Sequence, residues 1–348
     1  MGLLRRVFCS SLFCCSWSFI PLRHRSLQHR QFRSRGSLLM MPEGPEVRCL
    51  AEDLNIRYGN DRFDMTEATI LSGRYTKLPP IGWQMLQSAL PLGIKNIASK
   101  GKFIWFDCGP NCYLFSTLGL SGDWIGDATH SPPSYKYGRI VFSLIDRHNK
   151  LHESKLLFVD MIGYGTVKVV KEKNELDKKL KSLGVCWLSD RPSYKEFLSL
   201  ASKEKPTRPV ARFLMDQKKF AGIGNYILSE VLYRAGIHPF ALCGSIAEEN
   251  RWEEVYIQCV IVISSSYYSQ KTTQVPPLVQ LEGIWATPEA LSNSFHFQAY
   301  RQKQCQMTGN EIVKSKGPHG RAIFWSPSIQ AKCTPLNSNG VQTVASLF

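Results

Sequence analysis

The sequence of 348 residues has no apolar run long enough to cross a bilayer, and it has no C-x-x-C pair. A membrane-spanning helix needs about 20 mostly apolar residues, so we expect no membrane partner. Eleven cysteines are scattered along the chain, and Cys108 and Cys112 flank a predicted turn between two strands. We expect these thiols to be mostly reduced, and buried or incidental, in an intracellular protein.

Acidic residues are missing from the first 41 positions, which also lack lysine but hold seven arginines. The formal net charge of the whole chain is +15, so removing this segment leaves +8 for the rest. A basic balance of this size favours a polyanionic partner, nucleic acid first. An ordinary basic soluble protein would have the same charge. The remaining length suffices for two modest domains, each with its own core.

Residues 1–40 form a basic, targeting-like extension that we expect to lie outside the fold. Arginine, serine and interleaved apolar residues without acid are typical of an organellar transit peptide. A start of translation at Met40 or Met41 explains the same text equally well. A secretory signal is disfavoured, because serines interrupt the apolar stretch and more arginines follow it. The expected location is the nucleus, the mitochondrion or both.

The segment from Met41 predicts a short lead into an amphipathic helix. Pro45 suits the first helical turn, and Val47, Leu50, Ala51 and Leu54 repeat at helical spacing. A polar linker before a helix would look the same. The chemical interpretation goes further, because removal of Met41 would leave a free secondary amine at the N-terminus.

Pro42 would carry that amine. A terminal α-amine has a pKa near 8, against about 10.4 for lysine, so a sizeable fraction is neutral and nucleophilic at cellular pH. Attack on C1′ of a deoxyribose would give an iminium ion that stays positive without a proton. This charge is an electron sink for eliminating the 3′ and then the 5′ phosphate. Glu43 is adjacent and could shuttle a proton as the sugar ring opens.

Met-Pro-Glu-Gly-Pro-Glu-Val at 41–47 resembles the start of the formamidopyrimidine-DNA glycosylase/endonuclease VIII family, and its glycine resembles the endonuclease VIII side. The resemblance implies that Pro42 is the Schiff-base nucleophile and Glu43 the proton donor, with Glu46 a further acid of the motif that we group with the DNA contacts. It also implies that Lys102, after the Ser99–Gly101 turn, contacts DNA and assists elimination.

Strand-like runs with turn signals between Lys102 and Val170 predict a β-sandwich packed with the first helix. The turn Leu118–Gly122 resembles the family turn that fills the gap left by a flipped base, which implies that Leu120 is an apolar wedge. The family usually has Asp-x-Arg-x-Phe-Gly in a later loop. Residues 160–165 lack that arginine but keep an aromatic residue, Tyr164, so the preference for the opposite base is open.

Two apolar helical faces surround residues 217–226 and predict a helical DNA-binding module. Gly222 and Gly224 would let the backbone approach a phosphate, while Asn225 and Lys218 would add a donor and a charge. A plain packing corner between helices is the alternative for such a motif alone. The whole stretch from Leu214 to Pro239 resembles the family's helix–two-turns–helix.

The C-terminal region resembles the family's zinc finger without its metal. Of the four positions expected to hold cysteine ligands, only Cys305 does so, and Thr308, Ser326 and Ile329 stand in the other three. Tetrahedral zinc needs four nitrogen or sulfur donors. We therefore expect no metal, with the hairpin held by packing of residues 323–325. The resemblance implies that Arg321 grips the phosphate at the damaged site.

The predicted fold class is α+β, with an N-terminal β-sandwich and flanking helices, a C-terminal helix–two-turns–helix domain and a zincless β-hairpin finger. After the extension, the expected domains are the catalytic sandwich at 41–182, a linker at 183–195, the helical domain at 196–295, the finger at 296–333 and a tail at 334–348. Residues 264–298 are expected to be a loop-rich insertion.

The predicted activity is a bifunctional DNA glycosylase and abasic-site lyase that removes oxidised bases, pyrimidines preferred, in base excision repair. It would act as a monomer on damaged DNA, without a cofactor. The alternative is a protein that binds damaged DNA but is inactive, because an extension still attached to Pro42 makes its nitrogen an amide.

Overall fold

The computed structural model describes residues 41–109, 111–126, 136–270, 280–281, 284–285 and 295–330. The predicted extension (1–40) and tail (334–348) lie outside these residues, as does Cys333. In the described part, no helix is both long and apolar enough to span a bilayer.

The first helix, α1 (Gly44–Tyr58), forms as its sequence predicts. Pro45 lies in its first turn, and the Glu46 carboxylate accepts the backbone N–H of Glu43 at 2.9 Å. Its apolar stripe includes Val47 and Leu54, both buried against the sandwich. This packing fixes the start of the folded chain relative to the sheets.

Two antiparallel sheets form the sandwich. The strands are β1 (Phe63–Ile70), β2 (Leu92–Gly93), β3 (Asn96–Lys100), β4 (Phe103–Asp107), β5 (Tyr113–Thr117), β6 (Gly122–Gly126), β7 (Gly138–Asp146), β8 (Glu153–Asp160) and β9 (Thr166–Val170). One sheet has the order β2-β1-β7-β8-β6 and the other β3-β4-β5-β9. A short helix, α2 (Trp83–Ala89), lies between β1 and β2. The predicted sandwich is confirmed.

The two sheets meet at an aromatic core. Trp124 on β6 lies with its ring centroid 5.0 Å from Phe106 on β4, in the opposite sheet, and 5.0 Å from Phe158 on β8. The indole N–H of Trp124 donates to the Ser116 hydroxyl at 3.0 Å. Burial of each large ring contributes about 1.5–3 kcal/mol, and the polar end of the indole is satisfied.

The helical part follows α3 (Lys173–Lys181). Its elements are α4 (Tyr194–Ser202), α5 (Val210–Leu214), α6 (Asn225–Arg234), α7 (Cys243–Glu248) and α8 (Trp252–Gln270). A second core forms here, in which Phe213 lies 5.1 Å from Phe220 and 5.4 Å from Trp252. The turns between α5 and α6 present the start of α6 toward α1.

The segment predicted as a linker is fixed to this second core. Val185–Cys186 (β10) pairs in parallel with Phe220–Ala221 (β11). Trp187 is 5% exposed and packs near Phe197 and Phe220.

The predicted loop from residue 264 is wrong at its start, because α8 continues to Gln270. Ser265 and Ser266 are buried in this helix, and the Ser266 hydroxyl bonds to the Tyr226 hydroxyl at 3.0 Å and to Glu46 at 3.2 Å. These contacts outweigh the weak helix preference of serine. Two short strands, β12 (Gln280–Leu281) and β13 (Ile284–Trp285), pair further on.

The C-terminal hairpin consists of β14 (Val313–Lys316) and β15 (Ala322–Trp325), paired antiparallel. Ile323 and Cys305 are fully buried, and the Thr308 hydroxyl lies 2.9 Å from that of Tyr233. Within the described residues, no group of three histidine, cysteine or acidic side chains is arranged to hold a metal.

Glu230 on α6 anchors the approach to this hairpin. Its fully buried carboxylate accepts the backbone N–H groups of Gln298 at 3.0 Å, Ala299 at 2.8 Å and Tyr300 at 2.8 Å. Arg234 lies 3.4 Å from it on the same helix. Three consecutive N–H groups therefore depend on one side chain.

We predict that Glu230→Ala destabilises the protein by about 3–5 kcal/mol, because it leaves buried N–H groups and a cation without their acceptor. Urea unfolding measures this loss. The matched control is Glu253→Ala, since Glu253 is an exposed acid on α8 and its loss should change stability by under about 0.5 kcal/mol. Equal effects of the two substitutions would contradict this interpretation.

Candidate active site

A cleft of about 630 Å³ lies where the sandwich, the start of α6 and the C-terminal hairpin meet. Seven of the nine predicted site residues line it. These are Pro42, Glu43, Lys102, Leu120, Tyr164, Asn225 and Arg321. The fold thus brings together side chains from six separate stretches of the sequence.

The Glu43 carboxylate is the most enclosed group of the cleft, at 1% exposed. It accepts the backbone N–H of Tyr226 at 2.9 Å and that of Ile227 at 3.3 Å. Both N–H groups belong to the first turn of α6, where the free N–H groups and the helix dipole favour a negative charge. Glu43 therefore joins the start of α1 to the start of α6.

Burial nevertheless dominates the ionisation of Glu43. Removal of the carboxylate from water raises its pKa to about 7, against the lowering effects of Lys102 and the α6 N–H groups. Glu46 raises it slightly further. At neutral pH the group is therefore divided between a proton donor and a proton acceptor, which suits acid–base chemistry.

Lys102 follows the β3–β4 turn and lies half-buried beside Glu43. Burial lowers its pKa, the Glu43 carboxylate opposes this by raising it, and the cation of Arg321 lowers it again. Arg321 itself is exposed on the hairpin. The two cations therefore reach the cleft from different elements, the half-buried Lys102 from the sandwich and the exposed Arg321 from the hairpin.

Three glycines (Gly44, Gly101 and Gly222) allow three backbone segments to pack closely beside the cleft. The Gly44 N–H donates to Gly222 O at 3.0 Å. Gly101 has φ +58° and Gly222 has φ +108°, and a Cβ on Gly101 would lie 2.7 Å from the Gly222 nitrogen. Side chains would hold these three backbones apart.

The predicted phosphate-binding role of Gly222 and Gly224 is corrected here. A Cβ at Gly224 would lie 2.2 Å from both Glu43 Cδ and Lys102 Nζ. The Gly222 N–H donates to the Gln217 side chain at 3.0 Å. Both glycines therefore make room for other parts of the protein, and Glu43 and Lys102 occupy the space beside Gly224 that was expected for phosphate.

Asn225 is 4% exposed and uses its amide to hold the hairpin turn. Its Nδ2 donates to Ala322 O at 2.7 Å, and its Oδ1 lies 2.8 Å from His319 Nε2. These bonds bracket Arg321 in sequence. The Asn225 side chain also hydrogen-bonds to the Tyr300 hydroxyl, so it joins two residues that line the cleft.

Glu46 and Lys218 are the two predicted site residues that do not line the cleft. Glu46 lies behind Glu43 and accepts the Tyr226 hydroxyl at 2.9 Å and the Gln270 amide at 3.0 Å. These bonds give Glu46 a supporting role. Lys218 is exposed on the turn before β11, where it adds positive charge to the surface.

Leu120 and Tyr164 lie on two loops that are tied together at the mouth of the cleft. The Asp160 carboxylate accepts the Ser121 hydroxyl at 2.6 Å and the Gly165 N–H at 2.6 Å. Tyr164 is 64% exposed. The loops therefore present a partly exposed Leu120 and an exposed ring at fixed positions.

Sequence reasoning did not assign four further residues of the cleft: Tyr300, Arg301, Lys314 and Phe324. The Tyr300 and Phe324 rings lie 5.2 Å apart. The alternating lysines of β14 (Val313–Lys316) could have indicated Lys314, which is exposed on that strand. Tyr300 and Arg301 depend on the turn held by Glu230, for which the sequence carries no local signal.

The fold and the cleft define a two-domain protein of the DNA glycosylase type, and comparisons with known proteins agree. The formamidopyrimidine-DNA glycosylase N-terminal domain matches residues 41–167. The H2TH domain of the same enzyme matches residues 188–275.

Individual relatives extend the match. The formamidopyrimidine-DNA glycosylase of Prochlorococcus marinus (strain MIT 9301) is 31% identical over 227 residues, covering 63% of this chain and 71% of the relative. Human Endonuclease 8-like 2 is 33% identical over 127 residues, covering 35% of this chain and 32% of the relative. A solved Lactococcus lactis enzyme, in complex with DNA containing an oxidised pyrimidine, has a TM-score of 0.65 at 22% identity, covering 84% of this chain and all of its own. This chain belongs to the formamidopyrimidine-DNA glycosylase/endonuclease VIII family.

The raised pKa of Glu43 predicts how stability depends on pH. A folded-state pKa of about 7, above the ordinary 4.5, contributes stability that is full below pH 4.5 and is lost as pH rises through 7. Between pH 5 and pH 8 we expect the free energy of unfolding, relative to Glu43→Gln, to fall by roughly 2–3 kcal/mol.

Urea unfolding of both proteins across this range measures the difference. The Lys102→Met protein serves as a second probe, since removing the neighbouring cation should raise the pKa of Glu43 further. A difference that stays constant from pH 5 to pH 8 would show that Glu43 ionises as it does in water.

Proposed function

We propose that this protein is a bifunctional DNA glycosylase and abasic-site lyase that uses the nitrogen of Pro42 as its nucleophile. The observation that carries the proposal is the meeting of Pro42, Glu43, Lys102 and Arg321 in one cleft. Family membership supports the substrate class, because relatives are formamidopyrimidine-DNA glycosylases and a solved relative holds damaged DNA.

The reaction begins with the neutral secondary amine of Pro42. Its lone pair attacks C1′ of the extruded nucleotide, the bond to the base breaks, and the base leaves with a proton. Glu43 supplies the proton that opens the sugar ring, which its pKa of about 7 permits. The product is an iminium ion between Pro42 and the ring-opened sugar.

Elimination follows from the positive charge of the iminium. Loss of a proton from C2′ expels the 3′ phosphate, and a second elimination expels the 5′ phosphate. Lys102, with a lowered pKa, assists proton movement, and Arg321 holds the phosphate at the damaged site. Water then hydrolyses the remaining iminium ion to an aldehyde, the free amine of Pro42 and a proton, so atoms and charge balance without a metal or redox cofactor.

Oxidised pyrimidines are the proposed preferred bases, on the resemblance of residues 41–47 to the endonuclease VIII side of the family. Leu120 would occupy the gap left by the extruded base, and Tyr164 lies beside it. The chain would act on DNA as a monomer. The acid-free, arginine-rich segment 1–40 supports a nuclear or mitochondrial location.

A second candidate function is binding of damaged DNA without excision. Met41 lines the cleft beside Pro42, and while it remains attached the Pro42 nitrogen is an amide. An amide nitrogen cannot form an iminium, so chemistry requires removal of everything before Pro42.

The test compares two forms of the protein, with their N-termini verified by mass spectrometry. A chain that begins at Pro42 should form a covalent adduct with abasic-site DNA in the presence of borohydride, because reduction fixes the imine. The full chain of 348 residues is the matched blocked form and should bind the same DNA without an adduct. Equal adduct yields from both forms would contradict the proposal, and no adduct from either would favour the binding protein.

A further inference from the structure

Arg301 has a backbone conformation that arginine seldom adopts. Its φ is 58°, in the left-handed region. The other non-glycine residues with positive φ in the described part of the chain are three asparagines and one aspartate (Asn60, Asn111, Asn250 and Asp61). Short polar side chains tolerate the left-handed region, whereas a long side chain raises the conformational energy of the backbone there. Glycine would be unstrained at position 301.

The surrounding structure forces this conformation. Glu230 holds the N–H groups of the three preceding residues, Gln298 to Tyr300. The Gln302 N–H donates to Ala299 O at 3.1 Å and closes the turn around Arg301. A strained residue kept in a tightly determined turn commonly serves function.

The side chain of Arg301 is exposed and lines the cleft. Its guanidinium lies 5.3 Å from the centre of the Tyr300 ring, and this contact limits the directions in which it can point. The strained turn therefore directs a preorganised cation into the site.

The charges of the cleft select an anion. Four cations line it (Lys102, Arg301, Lys314 and Arg321), against one carboxylate, Glu43. Lys102 and Glu43 lie beside each other, and the other three cations are exposed, so the lining presents an excess of positive charge to the solvent. An arginine fork fits two oxygens of a phosphate.

We propose that Arg301 binds a backbone phosphate of the DNA strand held in the cleft, beside Lys314 and Arg321. This contact rests on the proposed function and adds to it a residue that positions the strand. Glycine at this site would give the same turn without strain, so what arginine adds here is its side chain.

The test uses the full chain and a duplex with a tetrahydrofuran abasic analogue, and it measures the dissociation constant by anisotropy at several salt concentrations. Arg301→Gly should weaken binding roughly tenfold and lower the slope of log affinity against log salt by about one. The unfolding temperature should not fall, because glycine relieves the turn. Arg301→Lys should keep the salt slope.

The matched control is Asn250→Gly, which relieves positive φ at an exposed residue outside the cleft. It should leave DNA affinity unchanged. Wild-type affinity and salt slope in Arg301→Gly would overturn the inference, as would a loss confined to the abasic duplex and absent from undamaged DNA, which would indicate contact with the lesion. Failure of the wild-type chain to bind either duplex would overturn the proposed function as well.

Discussion

The site depends on one buried carboxylate at the junction of two helices. Glu43 ends the extended lead of the folded chain and accepts the first N–H groups of α6, more than 180 residues away in sequence. This bond holds Pro42 against the helical domain while α1 holds it against the sandwich. The Gly44 N–H, which donates to Gly222 O, and the packing of α1 support the same placement of the N-terminus.

The pKa of Glu43 results from burial and from the groups that oppose its effect. Desolvation alone would keep the carboxyl neutral, whereas the α6 N–H groups and Lys102 favour the anion. The opposing effects leave a pKa of about 7, which allows one group to give and take a proton at cellular pH. This arrangement requires the backbones of Gly44, Gly101 and Gly222 to pack closely, and the absence of side chains there allows it.

The sequence predicts the local parts of this arrangement well. The helical spacing of apolar residues predicts α1, and strand-like runs separated by turn signals predict the sandwich. The family resemblance predicts seven residues that the fold places in one cleft. Interactions between distant segments are not predicted, because no local pattern encodes them. Gly224 illustrates this limit. A glycine in the sequence indicates that another group packs closely against the backbone, but it does not indicate that the group is Glu43 and Lys102.

Buried polar anchors are the other part that sequence reasoning misses. Glu230 looks like an ordinary helical acid, and Ser264–Ser266 looks like a loop, because their partners lie in other segments. Asn225 is correctly expected at the start of α6, yet its amide binds the hairpin turn that carries Arg321. These residues connect the helical domain to both sides of the cleft.

The measurement that tests the central claim most directly is mass spectrometry of peptides from the borohydride-reduced protein–DNA conjugate. The account predicts that the sugar remnant lies on the N-terminal peptide, attached to the nitrogen of Pro42. A remnant on a lysine, including Lys102, would contradict it.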